Sequence, residues 1–316
     1  MPSSLLARFA QNIFWMARYI ERAENIARIL DINETYTREA HGEPDWQRVL
    51  ELYSDTERFS ESHDKADSAA VLNFYILERD NPTSIAAAVR MARENARSVR
   101  HLISTEMWTH LNIVHGRIAG LTQRDLRPSQ VSRRCGEIKE ACQTFEGITE
   151  GTFFRGPARC FYSIGKYIER ADQTTRVLQM GYERLTASDA AEDAISTVQW
   201  NALLRSVAAY HAFRSLHPSG LEPRTIAAFL LFDHGFPRAV ALCVDRVTQL
   251  LEVLAARHDL PRHEGIDGAR NHLVFTLNTG LGEKVTRRRL HVFLDKLQLA
   301  LTRLSGEITR YYFEIH

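Results

Sequence analysis

The chain predicts an all-α fold, a multi-helix bundle of about a dozen helices, and three observations carry that prediction. Apolar residues recur at the 3.6-residue spacing of amphipathic helices through nearly every segment. No stretch shows the alternating, β-branched pattern bounded by turns that marks a sheet. A helical segment also occurs twice: residues 14–30 (FWMARYIERAENIARIL) align without a gap to residues 162–178 (YSIGKYIERADQTTRVL), at a constant offset of 148. Seven of the seventeen pairs are identical and seven more are conservative. The offset is nearly half of the 316 residues. A single domain is therefore expected over 1–316, with a partial internal duplication, halves at roughly 1–150 and 151–316, and a core whose two copies pair about a pseudo-twofold axis.

The elements follow in order. A first long helix is expected from about Ser4 to Thr37, and GEPDW closes a break before a short helix through Leu52. SDTERFSESHDKADS reads as a loop, with Asp67 or Ser68 capping the helix that carries VLNFYIL. Asn81-Pro82 starts the next helix with proline in its first turn, and that helix breaks near Ser104. Arg-Pro-Ser at 127–129 opens a helix to about Gly147. The second YIERA helix spans about Ala158 to Leu185, and 188–196 is a polar linker. Val198–Leu216, Pro223–Phe232, Pro237–Ala256, Arg262–Leu277 and Glu283–Tyr312 complete the bundle.

Hydrophobic residues make up 44% and charged residues 25%, the composition of a soluble globular chain. Forty basic residues are offset by thirty-nine acidic ones, so a formal charge of +1 argues against nucleic-acid or anionic-membrane attraction. No run of about 18 apolar residues occurs. MPSSLLARFAQNIFW lacks a basic start and a cleavage site. A cytoplasmic location is the expectation, with no membrane and no nucleic-acid partner. Cys135, Cys142, Cys160 and Cys243 have no metal-like spacing and read as reduced, mostly buried thiols. Trp15, Trp46, Trp108 and Trp200 read as core anchors.

An ordinary core helix preserves its apolar stripe and lets its solvent face vary. Met16, Tyr19, Ile20, Ala23, Ala27 and Leu30 form that stripe in the first copy. The opposite face is retained as well: Arg18, Glu21, Asn25 and Arg28 are matched by Lys166, Glu169, Gln173 and Arg176. Both helices are therefore expected to be engaged on two sides. The candidate polar cluster is Arg18, Glu21, Arg22, Glu24, Asn25, Arg28, Lys166, Glu169, Arg170, Asp172, Gln173 and Arg176.

Adjacent residues on a helix lie 100° apart, so Glu21-Arg22 and Glu169-Arg170 must each find partners elsewhere. In one reading Glu21, Glu24, Glu169 and Asp172 converge on Mg²⁺ or a cationic substrate. In the other, Glu21 and Glu169 pair with Arg28 and Arg176 in a buried reciprocal network. The basic residues on the same stripes favour the network, since they would repel a metal, and no metal or cofactor is expected. No Glu-x-x-His pair, HExxH, Walker A loop, dinucleotide fingerprint or G-x-S-x-G occurs.

Secondary candidates are Arg93 and Arg97 in the Arg/Ala-rich helix, and Asp233, His234 and Arg238 in FLLFDHGFPRAV. Asp233 and His234 could work as an acid-base pair beside a helix start at Arg238, or Asp233 could cap and Arg238 anchor an interhelical turn. The second of these is preferred. FEGITEGTFFRG, with two glycines and two acids, reads as a binding loop or a helix-to-helix corner.

With FWMARYIERAENIAR, NPTSIAAAVRMARENARSVR, Glu106, Trp108, Asn112, FEGITEGTFFR, YIERADQTTR and FLLFDHGFPRAV in this order, the chain resembles the alpha-E family over essentially its whole length. That family is an all-helical domain named for its ER motif. Two departures are Ala239, where serine is expected, and Phe161-Tyr162, where a tryptophan-containing pair is more usual. The resemblance implies association with a circularly permuted ATP-grasp ligase and a transglutaminase-like cysteine protease, and fusion to the ligase in some members.

The leading expectation is a non-ATP-binding accessory or substrate-completing subunit of an ATP-dependent amide or peptide ligase, with the duplicated ER face docking the ATP-grasp partner. A stand-alone enzyme using the Glu/Asp cluster with Arg28 and Arg176 as anion receptors is one alternative. A homo-oligomeric scaffold is the other.

Overall fold

The structure, a computed structural model, describes residues 3–40, 46–185, 193–218, 220–258, 260–280 and 287–314. Fourteen α-helices and no strand occur among the described residues. They are α1 (Ser3–Ala40), α2 (Gln47–Leu52), α3 (Thr56–Ser60), α4 (Ser68–Leu72), α5 (Ile85–Ser98), α6 (Thr105–Ala119) and α7 (Pro128–Thr152). After these come α8 (Pro157–Leu185), α9 (Asp193–Ser206), α10 (Tyr210–Leu216), α11 (Pro223–Phe232), α12 (Val240–Arg257), α13 (Glu264–Thr279) and α14 (Arg287–Ile308). Most of the expected break at GEPDW, most of the 188–196 linker and the expected helix start at Glu283 lie outside the described residues.

Side-chain caps set several starts. Asp67 accepts from Ala70 N at 2.9 Å, Ser84 from Ala87 N at 3.0 Å and Ser104 from Met107 N at 3.1 Å. Each satisfies an amide that the helix leaves without a partner, a contribution of about 1 kcal/mol. Asn81-Pro82 forms the turn before α5 rather than its first turn. Asn81 accepts from Thr83 N and donates to Phe74 O, so the helix begins only at Ile85.

Other boundaries differ from the sequence expectation for local reasons. The polar stretch after Leu52 contains α3, pinned by buried Phe59. The expected Val198–Leu216 helix is two helices, because Ala208 adopts φ 58° and Ala209 N closes on Leu204 O at 2.7 Å. The chain thus ends α9 without a glycine or proline to announce it. Gly147 and Gly151 sit inside α7, which continues to Thr152, so FEGITEGTFFRG is mostly helix with a short corner at 153–156. Pro237 stands in the turn ahead of α12, which begins at Val240.

Helix α1 is the axis of the bundle. It packs against α5, α7, α8 and α9, while α8 packs in turn against α12 and α14. Every residue from Ala23 to Leu30 is buried, a full two turns with no solvent face. Charged residues in that stretch must therefore be satisfied inside the protein. The approach of α8 to α1 needs Gly165, since a Cβ there would lie 2.4 Å from Phe14 O. The aromatic side chains above this crossing close over it: Phe313, in a π-helical turn at the C-terminal end, lies 5.3 Å from Phe14 and 5.6 Å from Phe161. Trp46 and Trp200 are buried core anchors, whereas Trp15 and Trp108 are half-buried beneath Arg18 and Arg93. Among the described residues no helix is long and apolar enough to cross a membrane.

Candidate functional site

The α1–α8 crossing brings the two ER dipeptides together in reciprocal pairs. Arg22 Nε lies 2.7 Å from Glu169 Oε1 and its Nη2 lies 3.1 Å from Oε2. Arg170 Nε lies 3.0 Å from Glu21 Oε1 and its Nη2 lies 2.8 Å from Oε2. Each motif arginine thus grips the other copy's motif glutamate with two parallel hydrogen bonds, the strongest geometry that guanidinium and carboxylate offer. The 100° between neighbours lets one residue of each dipeptide receive across the interface while the next donates.

The network expectation named other partners, Arg28 and Arg176, and these are corrected here. Arg28 Nε pairs with Glu24 at 3.1 Å and Arg176 Nε with Asp172 at 2.9 Å, each one turn back on its own helix. A carboxylate at i−4 is within reach whatever the crossing angle, so these arginines are taken locally. The same spacing repeats with amides: Asn25 donates to Glu21 at 3.0 Å, and Gln173 to Glu169 at 3.4 Å. Lys166, the counterpart of Arg18, pairs with Glu146 on α7 rather than with a motif glutamate.

A further arginine completes the inner side. Arg238, in the turn before α12, reaches Glu21 Oε1 at 2.8 Å, Glu24 Oε1 at 2.5 Å and Asn25 Oδ1 at 3.3 Å. Its carbonyl accepts from Thr174 at 2.9 Å, which ties the turn to α8. Arg28 also donates to Ser206 O, fixing the end of α9, and Gln143 of α7 donates to Glu24 at 3.3 Å. On the outer side Arg18 bridges Glu169 at 2.8 Å and Ser305 at 2.6 Å, and Tyr53 donates to Gln173 at 3.1 Å. Five elements besides the two ER helices are therefore pinned to the cluster.

Five guanidiniums, of Arg18, Arg22, Arg28, Arg170 and Arg238, share the three carboxylates of Glu21, Glu24 and Glu169. Glu21 and Glu169 are 3% and 1% exposed. Burial opposes their ionisation, yet the arginines outweigh it. Arg22 and Arg18 hold Glu169 down to about 2, and Arg170 and Arg238 hold Glu21 far below the carboxylate range. The excess of positive charge shows at Arg28, whose guanidinium is lowered by burial and then by Arg238 beside it.

The remaining candidates lie apart from this network. Arg93 donates to Asn112 at 2.8 Å and pairs with Glu94, which also takes Arg97 at 2.7 Å. Asp233 accepts from Gly235 N and Phe236 N, both at 2.8 Å, and so shapes the turn. His234 pairs with Asp245 at 2.6 Å instead of with Asp233, which removes the proposed acid-base pair. The preferred alternative, Asp233 as cap and Arg238 as anchor, describes what is seen. Gln143, Tyr53, Ser206 and Ser305 are members of the cluster that no motif marked, because a lone polar residue on an amphipathic helix carries no signal of its partner, and Glu146, one of the acids of FEGITEGTFFRG, belongs to the cluster through Lys166. The four cysteines are buried thiols, with Cys243 pushed up to about 12 by burial. Among the described residues no three His, Cys, Asp or Glu side chains group as metal ligands.

Known proteins place this arrangement in context. The chain is 26% identical over 325 residues to uncharacterized proteins of Mycobacterium tuberculosis and Mycobacterium bovis. The alignment takes in 95% of the chain but only 35% of each relative, so the chain spans about a third of the length of the curated relatives it matches. No solved structure matches. Residues 5–313 match a family described as a predicted alpha-helical domain with a conserved ER motif, and the dipeptides that join α1 to α8 are two copies of Glu-Arg. The chain belongs to the Alpha-E family.

Proposed function

We propose that the chain is a non-ATP-binding helical subunit of an ATP-dependent amide or peptide ligase system in the cytoplasm, serving a circularly permuted ATP-grasp partner. One observation carries the reading: in its relatives the same unit fills 35% of a longer chain, which leaves room for a larger second part joined to it covalently. A unit found attached to more chain is suited to work beside a second domain or a partner subunit. The ER face itself is spent inside the fold, with both motif glutamates buried and paired, so docking falls to the outer helices rather than to that face. A transglutaminase-like protease is a second partner in this scheme.

The test is co-expression with a circularly permuted ATP-grasp protein from the same organism, followed by gel filtration and an ATP-hydrolysis screen of amino acids and amines with and without this chain. A complex that co-elutes and turns over ATP at an altered rate supports the reading. Separate elution with unchanged turnover overturns it and returns attention to the stand-alone enzyme and to the self-associating scaffold.

A further inference from the structure

Helix α6 carries two hollows side by side that lie apart from the ER network. The larger, about 430 Å³, lies between α6 and α7, with Val114, Ile118, Leu121, Ile138 and Ala141 supplying its apolar lining. The smaller, about 70 Å³, is lined by Arg79, Ala86, Arg90, His115, Ile118 and Ala119, with no carboxylate among them. Ile118 lines both, so one hollow opens beside the other along the same helix.

The arginines around the two hollows are not equivalent. Arg134, on the larger one, is committed to Asp125 at 2.6 Å and Glu137 at 2.9 Å, while Arg117 beside it has no carboxylate partner among the described residues. Arg79 and Arg90 have no carboxylate partner among the described residues, and the side chain of Arg90 only approaches the Arg79 carbonyl at 3.4 Å. Ala86 and Arg90 are one turn apart on α5, which sets Arg90 over the small hollow opposite His115. The chain as a whole is almost neutral, so a hollow lined by two arginines and no carboxylate is a local construction. His115 senses it: burial first, then Arg93, Arg79 and Arg90, lower its proton affinity, against the opposing pull of Glu94.

The geometry points to a binding site for a small amphiphile with an oxyanion head, a phosphate or a carboxylate, held by Arg79, Arg90 and His115, and an alkyl or acyl body lying in the apolar groove between α6 and α7. The larger volume is within the roughly 300–1,000 Å³ of small-molecule pockets. The larger hollow is apolar on five of its eight lining residues, with Arg117, Arg134 and Glu137 at its polar side, so an alkyl body would lie along Val114, Ile118, Leu121, Ile138 and Ala141. The inference is independent of any ligase partner and concerns this chain alone.

Titration calorimetry of the full chain with octyl phosphate below its micelle concentration, inorganic phosphate and 1-octanol tests it. Octyl phosphate is expected to bind at least tenfold more tightly than either of the others. Arg79→Gln with Arg90→Gln, both at exposed positions, is expected to weaken it at least tenfold while the melting temperature holds. Leu121→Gln at the groove rim should bring octyl phosphate closer to inorganic phosphate. In the wild type, bound octyl phosphate should raise the pH at which the His115 ring titrates by NMR. Equal binding of octanol, equal binding of inorganic phosphate, or an unaffected double variant would each overturn the site.

Discussion

Glu169→Gln tests the energetics of the ER crossing most sharply, because it removes one charge and almost no volume. Glu169 receives Arg18 and Arg22 and is 1% exposed. Breaking a buried, hydrogen-bonded pair by neutralising one partner costs about 3–5 kcal/mol. The carboxyl's own affinity for its proton gives a second route. Held at about 2 instead of 4.5, it contributes roughly 3 kcal/mol at 1.36 kcal/mol per pH unit. The two routes agree in magnitude and differ in what they say about acid. A carboxyl lowered by folding stabilises the protein fully above its unfolded value of 4.5, and that stabilisation fades as pH falls from 4.5 towards about 2. By pH 4 about 0.8 kcal/mol of it is gone. Urea unfolding of wild type and variant at pH 7 and pH 4 is the assay. The variant should be less stable by about 3 kcal/mol at pH 7, with a gap narrower by about 0.8 kcal/mol at pH 4. A gap below about 1 kcal/mol at pH 7, within the range of exposed pairs, or one that widens in acid, would refute the reasoning.

Gly165→Ala should destabilise by about 1–3 kcal/mol in thermal unfolding, since the added methyl meets the Phe14 backbone at 2.4 Å and the helices must part to admit it. Arg238→Met leaves Glu21 and Glu24 without their shared partner from the α12 turn, and should cost roughly 3 kcal/mol by urea unfolding. His234→Ala is the contrast: its pair with Asp245 is 67% and 50% exposed, so the melt should move by less than about 0.5 kcal/mol. The four buried thiols should resist an aromatic disulfide reagent in the native protein and all react in urea.

Much of the fold was legible because helices announce themselves locally. Asp67 stands ahead of apolar periodicity and caps as expected, the break expected near Ser104 is where Ser104 caps α6, and Pro223–Phe232 is a helix with the bounds that its proline and its apolar run dictate. The ER pairs were legible as residues but not as partners. Periodicity places Glu21 and Arg22 on different faces of one helix, while which arginine meets Glu21 depends on how α8 crosses α1, and that follows from Gly165 and packing far along the chain. Arg238 is the same case, an evident turn anchor whose targets lie more than two hundred residues away in sequence. The division between α9 and α10 was hidden for the opposite reason: Ala208 takes a left-handed conformation with no glycine to signal it. Arg79, Arg90 and His115 carry no spacing that links them in the sequence, and only the packing of α5 beside α6 gathers them around one hollow.

A double-mutant cycle on Arg22→Met and Glu169→Gln, read by urea unfolding at pH 7, measures the reciprocal pairing itself. The account predicts strong coupling, about 2 kcal/mol, with the double variant far less damaged than the two single losses added together. Additive losses, within about 0.5 kcal/mol, would contradict it and show that the Arg22–Glu169 pair contributes nothing to holding the two helices together.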